Sequence, residues 1–300
     1  GNAAAQHPQA SQLLALAAWI GEHTGASVGY LGEAGNGVGA QLVNALPGPG
    51  GLDAGQMLTQ PMKALLLLNT EPMLDGADAA ATREALTGAG LVVALTPFKD
   101  AAADVADVML PIAPFTETAG SFVNAEGRLQ TFHGVVKPLG DTRPAWKVLR
   151  VLGNLLGLDG FDFETVEDVR AAALGDTAAL PLRLDNRTVA APALPAVAAG
   201  GLQRVSDVPI YAVDSLVRRA ASLQLTADAR DPVVGLPSGL WRELGLVPGG
   251  KVLVSQGQGA VVLPAREDES LAAGAVRIAA GHPATAALGA MFGAVAVEKV

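Results

Sequence analysis

Three hundred residues, half of them hydrophobic and only 16% charged, can bury one large core or two ordinary ones, which excludes a disordered chain. A net charge of −9, with no Lys or Arg before Lys63, excludes the basic patch that a nucleic-acid binder needs against phosphates. The lack of any cysteine excludes disulfides, thiolate zinc sites and iron–sulfur clusters ligated by these residues.

Taken in chain order, "SQLLALAAWIGEHTG" (11–25) predicts a helix that stops at Gly25. Its apolar run "LLALAAWI" (13–20) has eight residues, against the roughly 20 that a membrane-spanning helix requires. No positively charged segment precedes it, so a signal peptide is not expected either. The chain opens on Gly1 rather than Met and its first helix begins almost at once, which is the expectation for a fragment of a longer protein. "SVGYL" (27–31) reads as a strand, followed by the Gly-rich loop "GEAGNGVGA" (32–40) and a helix through "AQLVNAL".

"KALLLLN" (63–69) is a continuous apolar run of strand length, the pattern of a strand buried on both faces. A helix (76–90), the strand "LVVALTP" (91–97), a short helix (99–106) and the strand "DVMLPIA" (107–113) follow. Strands alternating with helices predict an α/β fold whose parallel sheet is covered on both faces. "TRPAWKVLRVLGNLLGL" (142–158) is a helix with an apolar face at Trp146, Leu149, Leu152 and Leu156. Its basic residues Arg143, Lys147 and Arg150 read as a solvated face. A second helix (162–174) starts with acids, favourable at the positive end of its dipole.

The Pro/Ala/Gly-rich stretch 189–205, uncharged through Gly201, reads as a linker. It separates an α/β domain (1–188) from a second domain (206–300). In the latter a short helix (237–246) precedes strand, glycine turn and strand in "GKVLVSQGQGAVVLPA" (250–265). Further strands are expected within 273–284 and 293–300, so the second domain reads as a small β-barrel-like unit.

Few motifs carry chemistry. The four histidines, His7, His23, His133 and His282, have no helical spacing to one another, and neither H-E-x-x-H nor G-x-S-x-G occurs. The glycines of 32–40 could cradle an anion or make a tight turn, but the spacing is not that of a nucleotide fingerprint and no Walker lysine follows. One stretch stands out: "TETAGSFVNAEGRLQTF" (116–132) gathers Thr116, Glu117, Thr118, Asn124, Glu126, Arg128 and Gln130 directly after an apolar strand. Two short strands around Gly127 would make it a hairpin. Its place at the carboxyl end of a strand would make it a ligand site. Both readings stay open on the residues alone.

"ADVMLPIAPFTETAGSFVNAEGRLQTF" (106–132) resembles the signature of the molybdopterin oxidoreductase superfamily, in which a strand of this kind leads to an acid, a Gly and an Asn-x-Glu turn near the pterin. The longer form, "TETAGSFVNAEGRLQTFHGVVKPLGDTRPAWKVLRVLGNLLGL" (116–158), is similar to one branch, the large peripheral-arm component (the G subunit) of NADH–quinone oxidoreductase, respiratory complex I. "VGYLGEAGNGVGA" (28–40), "YAVDSLVRRAASLQLTADA" (211–229) and "AAGHPATAALGAMFGAVAVE" (279–298) are similar to that branch too.

The resemblance implies a parallel-sheet molybdopterin-oxidoreductase-like domain followed by a small barrel, in a C-terminal segment that supports electron transfer from NADH to quinone coupled to proton translocation. It implies iron–sulfur clusters upstream of these residues, a lost molybdopterin, no metal and no catalytic residue here. Glu117, Gly120, Asn124, Glu126, Gly127 and Arg128 would be landmarks of a vestigial pterin site. The implied partners are other peripheral-arm subunits, without nucleic acid or direct membrane insertion, at the cytoplasmic face of the bacterial inner membrane. The alternatives are an active molybdopterin enzyme of formate dehydrogenase type and a stand-alone interaction module.

Overall fold

The computed structural model describes residues 5–185 and 200–300. Helix α1 (Ala10–Thr24) ends as predicted, on Gly25 at φ +70°, a left-handed turn that costs glycine little. The expected strand at 27–31 does not form. The segment pairs with no described strand, and Tyr30 and Leu31 lie exposed. Apolar composition marks a candidate strand, but only backbone pairing with a ladder makes one. Helices α2 (Gly37–Leu42) and α3 (Ala54–Leu58) follow, the latter held by a reciprocal capping box of Asp53 and Gln56.

The sheet has three parallel strands, β1 (Leu65–Leu68), β2 (Val92–Thr96) and β3 (Val108–Pro111), in the order β1–β2–β3. Between β1 and β2 run α4 (Pro72–Asp75) and α5 (Ala79–Gly88), the latter capped by Asp78, which accepts from the Ala81 N–H at 3.0 Å. The prediction of strands buried on both faces holds only for β2, where Val92, Ala94 and Leu95 are enclosed. In β1 the residues alternate, and Leu66 and Leu68 are 47% and 43% exposed. A four-leucine run is continuous in sequence, yet an edge strand with one uncovered face exposes every second side chain. The helix expected at 99–106 shrinks to a 3₁₀ turn at Lys99–Ala101.

After β3 come the antiparallel hairpin β4 (Gly120–Val123) and β5 (Leu129–Phe132), then α6 (Ala145–Leu155) and α7 (Val166–Leu174). A capping box between Thr165 and Asp168 starts α7. Of the predicted apolar face of α6, Leu156 falls just past the helix and is 65% exposed.

Most of the predicted linker lies outside the described residues. Its last four, Leu202–Val205, are not linker but strand β6. Two single-turn helices, α8 (Ser215–Arg218) and α9 (Ala221–Gln224), precede β7 (Val234–Leu236), α10 (Ser238–Glu243), β8 (Lys251–Gln256), β9 (Gly259–Glu267), β10 (Ala275–Arg277) and β11 (Gly293–Lys299). The six strands close into a barrel, β10–β6–β11–β8–β9–β7. The pairs β6–β10 and β7–β9 are parallel, so the chain crosses over instead of meandering. Val234, Leu236, Val252, Val254, Val276 and Ile278 fill the interior with no exposed surface. At roughly 1.5–3 kcal/mol for each fully buried aliphatic side chain, this is the larger core of the two regions.

Candidate functional site

In open parallel sheets, ligands lie outside the carboxyl ends of the strands. Here β1 leads to Asn69–Glu71, β2 to 97–100 and β3 to 112–117. Asn69 takes φ +52°, a conformation Asn tolerates better than most residues, and two residues on Glu71 is only 6% exposed. Its carboxylate is held by two adjacent arginines from the α8 segment. Arg218 Nη1 donates to Glu71 Oε2 at 2.8 Å, and Arg219 Nη2 donates to Oε1 at 2.6 Å. Arg218 also reaches Asp75 at 2.7 Å, Arg219 reaches Asp100 at 2.8 Å, and the Arg219 guanidinium lies 4.2 Å from the centre of the Phe98 ring.

Asp214 fixes this segment by capping α8 through the Leu216 and Val217 N–H groups, and Arg218 Nε donates to Ala212 O at 2.9 Å. Burial pushes the Glu71 carboxyl up, but Arg219 and Arg218 outweigh it and hold the carboxyl below its ordinary value. Glu71 in turn raises Arg219. The crevice beyond β1 and β2 is thus filled by two cations and three carboxylates of the chain itself. Sequence reasoning missed Glu71, Asp75, Asp100, Arg218 and Arg219. The available signal was the pair Arg218–Arg219 in a chain poor in charge, with an acid three residues beyond a buried strand.

At the exit of β3, Glu117 lines a pocket of about 480 Å³ together with Thr118, Lys137, Arg143 and Trp146. Its Oε2 accepts from the Leu139 N–H at 2.9 Å, and Thr116 O accepts from the Val135 N–H at 2.7 Å. These bonds tie the 134–140 loop to the start of the hairpin. A Cβ on Gly120 would lie 2.4 Å from the Phe132 ring, so any larger residue would push that ring aside. At the other end Asn124 Oδ1 accepts from the N–H groups of Glu126 (3.0 Å) and Arg128 (2.9 Å), while Gly127 turns at φ +79° against Pro181. The side chains of Glu126 and Arg128 are exposed and have no partner among the described residues. The four residues of β4 separate the two ends by about 13 Å, so the six predicted landmarks build the hairpin and do not converge on one point.

The Gly-rich loop docks on the same hairpin. Asn36 Oδ1 accepts from the Val123 N–H at 2.9 Å, and its amide faces Ser121 O at 3.4 Å. A Cβ on Gly39 would lie 2.1 Å from Asn36 Oδ1. That is the turn reading of the loop, with Asn36 as its working group. The histidines stay apart: His7 meets the Phe292 ring, His23 stacks on Trp19, His133 is exposed, and His282 accepts from the Ala284 N–H. Burial lowers the His282 pKa, partly offset by Asp231. Among the described residues no group of three or more His, Asp or Glu could hold a metal, and no helix is long and apolar enough to cross a membrane.

A three-stranded parallel sheet with its hairpin, followed by a closed barrel, defines an α/β protein with a C-terminal β-barrel. The model of the molybdopterin oxidoreductase family matches residues 1–155, over half of the chain, and the chain belongs to that family. Within it, the chain is 34% identical over 232 residues to the G subunit of NADH-quinone oxidoreductase from Mycobacterium bovis and from Mycobacterium tuberculosis. The match covers 73% of this chain and 27% of each relative, so the chain spans about a quarter of their length. Staphylococcus aureus proteins provisionally named formate dehydrogenases are 44% identical over 57 residues, 19% of this chain and 6% of theirs. Acetylene hydratase from Pelobacter acetylenicus shares the fold, with a TM-score of 0.57 and 17% identity over 82% of this chain and 46% of that one.

Proposed function

We propose that this chain is a scaffold segment of the iron–sulfur subunit of an NADH–quinone oxidoreductase. It holds the molybdopterin-oxidoreductase fold and docks against other peripheral-arm subunits at the cytoplasmic face of the inner membrane. The electron-transfer clusters belong to a region that is not among these residues. The breadth of the match favours this reading: similarity to the NADH-quinone oxidoreductase relatives spans 73% of the chain, and similarity to the formate dehydrogenases 19%.

The observation that carries the scaffold role is the filled carboxyl ends of β1 and β2. A pterin dinucleotide brings a pyrophosphate that needs free donors. Arg218 and Arg219 are both committed to carboxylates, and Glu71, Asp75 and Asp100 would repel the phosphates. The residues present do not fit the cofactor there. The hairpin landmarks support the same reading, because Glu117 and Asn124 spend their side-chain acceptors on backbone N–H groups. The test is an affinity tag on the full chain in its own host. Co-purification with the other peripheral-arm subunits and NADH oxidation is expected. Isolation apart from them, with formate oxidation, would overturn the proposal.

A further inference from the structure

Helix α6 is sharply amphipathic, yet Gly153 is its only buried residue. Gly153 is there because the Phe161 ring packs against it, leaving 2.3 Å to where a Cβ would sit. Further round the helix, Val151 is 48% and Leu155 80% exposed. They border a groove of about 710 Å³ whose apolar lining includes Leu110, Val148, Leu152 and Phe163. An apolar stripe with nothing over it is the signature of a face that another element covers.

The rim specifies the occupant. Arg143, just before α6, and Lys147 and Arg150, three residues apart on one side of it, line the groove. None has a carboxylate partner among the described residues. Arg143 donates only to Gly140 O and Thr142 O, Lys147 sits 5.3 Å from the centre of the Trp146 ring, and Arg150 Nε is buried without an acceptor. Glu164 is the one acid on the lining. In a chain of net charge −9, a row of unpaired cations beside an uncovered apolar stripe is a local inversion of the overall charge.

We propose that this groove docks an acidic amphipathic helix of a neighbouring subunit. Leu, Val or Phe at i, i+3 and i+7 would fill it, and Asp or Glu beside them would pair with Lys147 and Arg150. From Ala145 to Leu155 the groove follows about 15 Å of helix, enough for the three anchors of helix-in-groove recognition. A second copy of this chain would bring the same basic rim against itself and is disfavoured by like-charge repulsion. The inference rests on the reading of the chain as part of a multi-subunit assembly.

The test places the photo-cross-linker p-benzoylphenylalanine at position 155 of the full chain in its native complex, and sequences the linked peptide. The expected peptide comes from another subunit and carries acids beside apolar residues at helical spacing. Lys147→Glu with Arg150→Glu should lower the yield about tenfold, and Arg83→Glu, on another exposed surface, should leave it unchanged. A link within the same polypeptide, to a second copy or to a segment without acids overturns the inference. So does an undiminished yield in the double variant, or no link in assembled complex. Co-purification is scored on the same sample. If the subunits still co-purify, the inference alone fails; if they do not, the proposed function fails with it.

Discussion

In the barrel, six strands enclose Val234, Leu236, Val252, Val254, Val276 and Ile278 completely, whereas in the sheet only β2 reaches that state and β1 leaves Leu66 and Leu68 over two-fifths exposed. The two regions are built from the same aliphatic residues. The difference is closure. A barrel has no edge and needs no cover, while a three-stranded sheet ends in two edges and two faces that other elements must complete. The barrel also holds a buried charge internally, that of Arg204, with only its Nε left without an acceptor among the described residues. Arg204, 2% exposed, donates to Gln256 Oε1 at 3.0 Å and to the carbonyls of Gly289, Ala290 and Ala279, and burial lowers its pKa to about 10. The sheet finishes only its carboxyl edge, with the Glu71 cluster, and leaves the α6 groove and one face of β1 open.

Substitutions sharpen that contrast in descending order. Arg204→Ala strands Gln256 Oε1 and the carbonyls of Gly289 and Ala279 and should destabilise the barrel by about 3–5 kcal/mol in denaturant titration. Arg204→Met, which refills the volume, should recover part of the loss. Leu236→Ala empties a fully enclosed site and should cost about 2–5 kcal/mol, against a change within about 0.5 kcal/mol for Leu66→Ala. Equal losses at the two leucines would break the comparison, because they would mean that β1 is as enclosed as β7.

Glu71→Gln removes the charge that both arginines hold and should cost about 2 kcal/mol at neutral pH. The sign with pH follows from its folded pKa lying below the ordinary 4.5. The unfolded chain takes up the proton first, so the cluster's contribution is full above that value and fades as pH falls through the folded one. Wild type and Glu71→Gln should therefore converge in stability in acid. The smallest effect belongs to the exposed pair Arg83–Asp104, 2.9 Å apart with both side chains over half exposed. Arg83→Ala should change stability by less than about 1 kcal/mol and lose that effect at high salt.

Much of this architecture was legible in the residues. Apolar runs at 65–68, 92–96 and 108–111 separated by helical spacing gave the parallel sheet, and the Gly-punctuated alternation after residue 250 gave the barrel strands β8, β9 and β11. Gly127 and the polar edges around it offered the hairpin as one of two open readings, and pairing of β4 with β5 is what the structure shows. What failed was burial and pairing, which depend on partners distant in sequence. "SVGYL" has strand composition but no ladder to join, and β6 hid at the end of an alanine-rich linker. Arg218 and Arg219 lie well over a hundred residues from Glu71, Asp75 and Asp100, so no local pattern could announce that they fill the carboxyl edge of the sheet.

The most direct measurement is a joint assay of the full-length protein taken from its native complex, reading iron and molybdenum by mass spectrometry and pterin by the fluorescence of its oxidised product. A scaffold whose carboxyl edge is held by its own arginines predicts iron from the upstream clusters with neither molybdenum nor pterin. Molybdenum and pterin each near one per chain would contradict it, because the cofactor would then need the space and the donors that Glu71, Arg218 and Arg219 now take from one another.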